Sequence, residues 1–382
     1  MTWQPADDLA QAVALEVLLH GPLARSELAR RLELAPATLT RISTELIDMG
    51  LLLETPKAVE RKTGRPSVPL DVVPDAHHFL GIKVSGEAMM TALIDLRADV
   101  LGYFEEPLIS SDPDVVVDQI SGLLSRAGFD KPIDAIGISL GGVVTPEGSV
   151  KSAPFLGWEN IPLAELVQNR TGTRTFASND LAAFTESQHW FGLGARHDNF
   201  ATLTIGVGVG FGCVANGKLL SNDDSGVGLV GHWPLDPLGP LCSRGHRGCA
   251  ESMLTLPYIL RDVSLALDRP VDWKEFIDLA REGQPAAAAI ARDSGRALGR
   301  LIAAIANLTA PDLVVVGGEG VGLAEVAGAF VAEGIREHRD PRASEVHVEL
   351  TSGSNESWCR GAGVIALQGY VLDRRRADPG PA

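Results

Sequence analysis

Near residue 76 the spacing of apolar residues changes from helical to strand-like, and this change constrains the chain more than any single motif does. Before it, apolar residues recur every three or four positions. After it, short β-rich runs alternate with helical ones, which is the signature of an α/β fold. A length of 382 residues leaves room for two or three domains and a sizeable core, so the change is read as a domain boundary, with residues 1–75 on one side and 76–382 on the other.

In the first part, Leu9, Val13, Leu15, Val17 and Leu18 predict an amphipathic helix that stops at His20-Gly21-Pro22. Ser26 is placed to cap a second short helix over 27–32, and Pro36 suits the first turn of a third. In the third helix Leu39, Ile42, Leu46 and Met49 face inward, and Gly50 ends it. Helix, short turn, helix is the helix-turn-helix pattern. Runs 51–54 and 68–72 then read as short strands joined by a basic wing that contains Lys57, Arg61, Lys62 and Arg65.

On a wheel of about 100° per residue, the outward face of the third helix carries Ala37, Thr40, Arg41 and Thr44, with Thr38 on its shoulder. Arginine donates bidentately to guanine and threonine offers a hydroxyl or a methyl, so this face suits a DNA major groove. The whole chain is acidic, with 33 Lys+Arg against 49 Asp+Glu and a net charge of −16. That excludes a protein coated with phosphate-binding charge, so DNA contact must be local. Residues 25–66 supply the contrast, with eight basic residues (Arg25, Arg30, Arg31, Arg41, Lys57, Arg61, Lys62, Arg65) against six acidic (Glu27, Glu33, Glu45, Asp48, Glu54, Glu60). A three-helix protein-binding bundle is the plainer alternative; the wing and the charge contrast favour operator DNA as the partner.

Beyond residue 76, strands are expected at 79–84, 89–95, 135–139, 202–205, 210–215 and 313–316. Helices are expected at 113–126, 163–170, 181–191, 273–281 and 286–308, and the tail 374–382 reads as a frayed end. The opening residues, with Asp7 and Asp8, lack the basic start of a signal peptide. The most apolar stretch, 301–318, is broken by Asn307, Thr309, Pro311 and Asp312, so a cytoplasmic protein with no membrane partner is expected. Four cysteines are too few for a disulfide scaffold in so long a chain. Cys242 and Cys249 lie close enough to suggest metal chemistry, whereas Cys213 and Cys359 read as buried thiols. The glycine-rich run 206–212 marks a backbone that turns sharply or approaches something closely.

Taken together, several stretches resemble the ROK (repressor, open reading frame, kinase) family, and its repressor branch in particular. They are Ala37-Thr38-Leu39-Thr40-Arg41, the wing's Gly64-Arg65-Pro66, Leu156-Gly157-Trp158, Asn179-Asp180, the glycine run with Asn216-Gly217, Gly231-His232, the run 242–251, and Gly317-Gly318. The resemblance spans nearly the whole chain. It implies an α/β fold with an N-terminal winged helix-turn-helix and a two-lobed, actin-like ATPase domain of the sugar-kinase, ribonuclease H-like type, its C-terminal helix returning to the first lobe. It also implies DNA contacts through Thr38, Thr40, Arg41, Thr44 and Arg65, and a homodimer or higher oligomer.

For the effector site, the resemblance implies a sugar or sugar derivative held by Asn179, Asp180, His232 and Glu251, with Leu229 standing where the family has a glutamate. Asp180 occupies the kinase base position, but Lys83, Glu87 and Val207 replace residues that a kinase uses for metal and phosphate. The expected function is a sugar-controlled repressor of carbohydrate-metabolism genes rather than an enzyme, and the alternative is a sugar kinase that also binds DNA. The plainer reading of Asp180 is a helix N-cap and of Glu251 a first-turn acid. No cofactor is required, and zinc is implied only through His232, Cys242 and Cys249. Arg244 takes the place of the fourth ligand, and His246 stands two residues away as a substitute donor.

Overall fold

The computed structural model describes residues 7–55, 68–126, 131–222 and 224–372, together with Trp3 and Pro5. They fall into two compact units: described residues of 1–140, 145–178 and 359–382 form the first, and those of 141–144 and 179–358 the second.

Three helices open the first unit: α1 (Asp8–His20), α2 (Arg25–Arg31) and α3 (Pro36–Asp48). Asp7 caps α1 by accepting the Ala10 N–H at 2.8 Å. Ser26 does not cap α2 as its position suggested; it lies inside the helix, which starts at Arg25 without a side-chain cap. The reason is Arg25, which donates to Ser43 Oγ at 3.2 Å and pairs with Glu54 at 2.8 Å, anchoring the first turn upstream. Leu28, Leu39, Ile42 and Leu46 are buried, and Met49 is half-buried at the end of α3. Strands β1 (Leu52–Glu54) and β2 (Leu70–Val72) pair antiparallel and form the base of the wing. The wing's Lys57, Arg61, Lys62 and Arg65 lie outside the described residues.

A five-stranded sheet follows, built from β3 (Phe79–Val84), β4 (Ala88–Ile94), β5 (Val100–Pro107), β6 (Ala135–Leu140) and a later strand, with α4 (Pro113–Arg126) between β5 and β6. Next come the short β7 (Val143–Val144), the hairpin of β8 (Val150–Ala153) and β9 (Trp158–Ile161), α5 (Leu163–Thr171) and β10 (Arg174–Asn179). The order across the sheet is β10-β6-β3-β4-β5, with β3 parallel to β6 and antiparallel to β4.

In the second unit, α6 (Asp180–Phe191) leads into β11 (Phe200–Ile205), β12 (Val209–Ala215) and β13 (Lys218–Leu219). Helices α7 (Ala250–Leu254), α8 (Leu256–Leu267), α9 (Trp273–Arg281) and α10 (Pro285–Thr309) precede β14 (Leu313–Gly317). Then come α11 (Gly322–Val326), α12 (Gly328–His338) and β15 (Val348–Leu350). The sheet order is β13-β12-β11-β14-β15, and Leu203, Ile205, Val314 and Val316 bury against Leu298, Ile302 and Phe276.

The last helix, α13 (Asn355–Leu372), belongs to the first unit from Cys359 onward. A side chain at Gly81 of β3 would collide with the Cys359 carbonyl, and one at Gly137 of β6 with the Ala362 carbonyl. Glycine is therefore what lets α13 lie on the sheet backbone. The far end of α13 meets the winged module: Trp3 N–H donates to Tyr370 Oη at 3.3 Å, and Gln11 Nε2 donates to the Val371 carbonyl. A second contact comes from Arg97, after β4, which donates to the Leu18 carbonyl at 2.8 Å and pairs with Asp71 of β2. The winged module is thus held to the first sheet by a buried polar seam.

Candidate functional site

Helical spacing sends Leu39, Ile42 and Leu46 of α3 into the core, and Ala37, Thr40, Arg41 and Thr44 outward, with Thr38 half-buried. Thr40 Oγ1 donates to the Pro36 carbonyl at 2.8 Å and Thr44 Oγ1 to the Thr40 carbonyl at 2.9 Å. Both hydroxyl hydrogens are spent on the helix, so each threonine offers a ligand its methyl and its oxygen lone pairs. Arg41 Nη1 pairs with Glu45 at 2.6 Å on the open surface. An exposed pair of this kind is weak, and the guanidinium can exchange it for a base edge. On α2, hydrogen bonds from Arg30 and then Arg31 hold the Glu27 carboxyl down at about 2.

At the start of α6, Asn179 is the N-cap: its Oδ1 accepts from Leu181 N–H at 3.0 Å and Ala182 N–H at 3.2 Å. Its Nδ2 donates to the Gly142 carbonyl at 2.8 Å, which leaves one amide hydrogen. Asn179 is therefore chiefly a brace. Asp180, half-buried beside it, accepts the Leu181 N–H at 2.8 Å.

Strand β12 touches α6 on one side and both α7 and the turn Leu229–His232 on the other. That turn and the chain from 242 to 251 meet because Pro234 bridges Cys249 and Leu241 bridges Arg247. As a result, His232 Nδ1 lies 3.8 Å from both Cys242 Sγ and Cys249 Sγ, and 3.2 Å from Glu251 Oε2. The Glu251 Oε1 atom accepts from Ser243 Oγ at 3.0 Å. Leu229, on the same turn, is 70% exposed.

His246 completes a four-donor cluster with His232, Cys242 and Cys249, whose ligand atoms all lie within 4.8 Å of one another. Tetrahedral zinc, with Zn–S of about 2.3 Å and Zn–N of about 2.0 Å, requires N···S edges of roughly 3.6 Å. The observed 3.7 Å from His246 Nδ1 to Cys242 Sγ and the two 3.8 Å distances from His232 are close to that edge. Arg244 is exposed and outside the four. The two-residue offset is absorbed by a turn at Gly245, whose φ is +81° and whose N–H donates to the Cys242 carbonyl at 2.9 Å. Sequence spacing names His246 only as a substitute; the fold brings it into the cluster.

Lys83, Glu87 and Val207, the residues expected in altered phosphate loops, all lie among the described residues. Lys83 is half-buried on β3 and Glu87 is exposed in the turn to β4, where Ser85 Oγ accepts the Ala88 N–H at 3.0 Å. In the second unit Val207 is 67% exposed at the tip of the glycine turn. A carboxylate missed by sequence reasoning, Glu319 after β14, lies so close to Gly206 that a side chain there would collide with its Oε2. Cys213 and Cys359 are both buried, and burial pushes the Cys213 thiol up.

This chain is similar over most of its length to the DNA-binding transcriptional repressor Mlc of Escherichia coli K12: 27% identical over 362 residues, 90% of this chain and 89% of that one. A glucokinase of Thermotoga maritima is 29% identical over 258 residues, covering 63% of this chain and 81% of its own. Among solved structures, a ROK family transcriptional regulator, a homologue of E. coli Mlc, superposes with a TM-score of 0.78 at 26% identity, over 95% of this chain and 98% of that one. The α/β architecture is accordingly that of a winged helix-turn-helix followed by an actin-like ATPase fold. With the family's own pattern matched across residues 79–368, the chain belongs to the ROK family.

Proposed function

We propose that this protein is a DNA-binding transcriptional repressor of carbohydrate-metabolism genes, controlled by a sugar or sugar derivative. One observation carries the reading: a winged module with an outward Thr40–Arg41–Thr44 face heads a chain similar along nine-tenths of its length to a transcriptional repressor. In this reading residues 1–75 bind the operator and 76–382 sense the effector, and the protein works in the cytoplasm as a homodimer on a two-fold operator. Thr38, Thr40, Arg41 and Thr44 meet bases, and Arg65 in the wing meets phosphate. Asp180, His232 and Glu251 grip hydroxyls, and Asn179 braces the start of α6. Leu229, exposed where an acid is expected, favours a ligand with an apolar or deoxy group there.

The kinase alternative is favoured by Asp180 at the head of α6. It is opposed by Lys83, Glu87 and Val207, and further by the Glu319 carboxylate on the glycine turn, because an acid beside a triphosphate repels it. Zinc, held by His232, Cys242, His246 and Cys249, would cross-link the 232–249 loop beneath Glu251; the regulatory reading does not require it.

Measured operator binding tests the proposal. Arg41→Ala should cost about 1 to 3 kcal/mol of specific affinity and relax selectivity at one base, while Arg65→Ala should weaken binding evenly across sequences. Full operator affinity in both variants would sink the assignment.

A further inference from the structure

The outward stripe of α3 has few hydrogens to give. Ala37, Thr40 and Thr44 are exposed at spacings of three and four, so they follow one line along the helix. Thr40 Oγ1 gives its hydrogen to the Pro36 carbonyl at 2.8 Å, and Thr44 Oγ1 gives its own to the Thr40 carbonyl at 2.9 Å. The Thr40 carbonyl also takes the hydroxyl of buried Ser43 at 3.1 Å, and the Ser43 oxygen accepts from Arg25 Nε at 3.2 Å. Bonds of this kind, to a backbone carbonyl one turn back, are the ones threonine makes within a helix. What the stripe keeps for a ligand is three methyl groups and the lone pairs of two hydroxyl oxygens, with Arg41 beside them as a hydrogen-bond donor.

Base pairs differ in what they offer such a surface. In the major groove guanine presents N7 and O6, two acceptors, which meet oxygen lone pairs with no hydrogen to share. Cytosine presents a donor at N4 and no methyl. An A·T pair presents a donor on adenine and the 5-methyl group of thymine, so it alone matches both of the groups that remain. We propose that Thr40 and Thr44, with Ala37 in line, read thymine through its 5-methyl group, so that each operator half-site sets A·T pairs beside the guanine taken by Arg41. At about 1.5 Å per residue, positions 37 and 44 lie about 10 Å apart along the helix, or about three base steps of about 3.4 Å, which confines the A·T pairs to about four consecutive positions. This base preference rests on the operator reading proposed above.

Duplexes enriched by the full-length protein from a random pool supply the probe. Deoxyuridine is put in place of thymidine one position at a time; it keeps the hydrogen bonds of the A·T pair and deletes the methyl group. The wild-type protein should lose about fourfold in affinity at each position that faces the stripe, the worth of one buried methyl group. Thr40→Ser and Thr44→Ser keep the hydroxyl and remove the side-chain methyl, so each should abolish the deoxyuridine penalty at one position. Thr40→Val and Thr44→Val keep the methyl and remove the hydroxyl, so the penalty should persist in them. Deletion of every thymine methyl in a half-site with a change under about twofold overturns the proposal. So does a penalty that survives in the serine variants and vanishes in the valine ones, because the hydroxyl is then the reading group. Enriched half-sites without A·T pairs beside the guanine overturn it as well. A pool that yields no enriched duplex sinks the operator reading itself, and the base preference with it.

Discussion

Arg97 is where the seam between the winged module and the first sheet can be cut with a single substitution. Its Nη1 donates to the Leu18 carbonyl at 2.8 Å and its Nη2 to the Val17 carbonyl at 3.4 Å, both in the last turn of α1. The Val17 carbonyl already accepts the Gly21 N–H at 2.9 Å, whereas Pro22 has no N–H to give the Leu18 carbonyl, so Arg97 serves the one that the helix end leaves without its backbone donor, and a cation there also offsets the helix dipole. The same guanidinium pairs with Asp71 on β2, the side chains being 18% and 22% exposed. Burial pushes the Arg97 pKa down, which marks the desolvation that these contacts must offset. Arg97→Ala strands the Leu18 carbonyl and leaves Asp71 without its cation. One hydrogen bond to a charged group is worth about 1.5–3 kcal/mol, and breaking a fully buried pair costs about 3–5. For a pair about a fifth exposed, a loss of about 2–4 kcal/mol follows. Urea denaturation measures it, and native-state hydrogen exchange should show the α1 amides losing protection first. In a cycle with Asp71→Ala the two losses should fall short of additivity by about 1 kcal/mol or more. A change under about 0.5 kcal/mol, or strict additivity, would refute the idea that Arg97 holds the module in place.

Two further outcomes follow from the geometry. Burial first, and the charge of Asp134 after it, push the Tyr370 phenol up to about 12. A raised folded pKa contributes stability that is whole below the free phenol value of about 10 and is lost from there through about 12, so Tyr370→Phe should lack about 2–3 kcal/mol of that alkaline loss. Superimposable alkaline unfolding curves for the two proteins would contradict this. The wild-type protein should show no sugar-dependent ATP turnover in a coupled assay, and Glu319→Gly, which clears the glycine turn, should gain measurable ADP binding. Turnover that Asp180→Asn abolishes would restore the kinase reading.

The reading face of α3 was legible because burial of a surface helix follows a local period: three apolar residues fix which side is wet. Strands β3, β4, β6, β11, β12 and β14 were legible as apolar runs, and β6 and β11 are buried along their whole length. Edge strand β5 was not. Gly102, Glu105, Glu106 and Pro107 lower its β-propensity, and only the pairing with β4 makes it a strand. Helix α12 was hidden by Gly328 and Gly334, poor helix formers; yet Gly334 lies where a side chain would strike the Arg296 carbonyl of α10. Around the candidate site the motifs name His232 and Glu251, which the fold brings together, and Asp180 at the head of α6. Spacing names His246 only as a substitute donor, and Ser243 and Glu319 carry no signal of their own, because a turn brings in Ser243 and the pairing of β11 with β14 brings in Glu319.

The charges of the second unit argue for the kind of molecule it would answer to. Asp180 and Glu251 are acceptors when ionised, and Glu319 sets a third carboxylate on the glycine turn. A phosphate group brought to that turn meets charge of its own sign, and a carboxylate-bearing sugar meets the same at Asp180 or Glu251. A neutral polyol meets neither penalty: its hydroxyls donate to the acids and accept from His232. The carboxylate on the glycine turn and the acids at Asp180 and Glu251 thus act in one direction. In a chain that heads this unit with a DNA-reading helix, that is the combination a sensor of neutral sugar needs, since it can hold its ligand without consuming it.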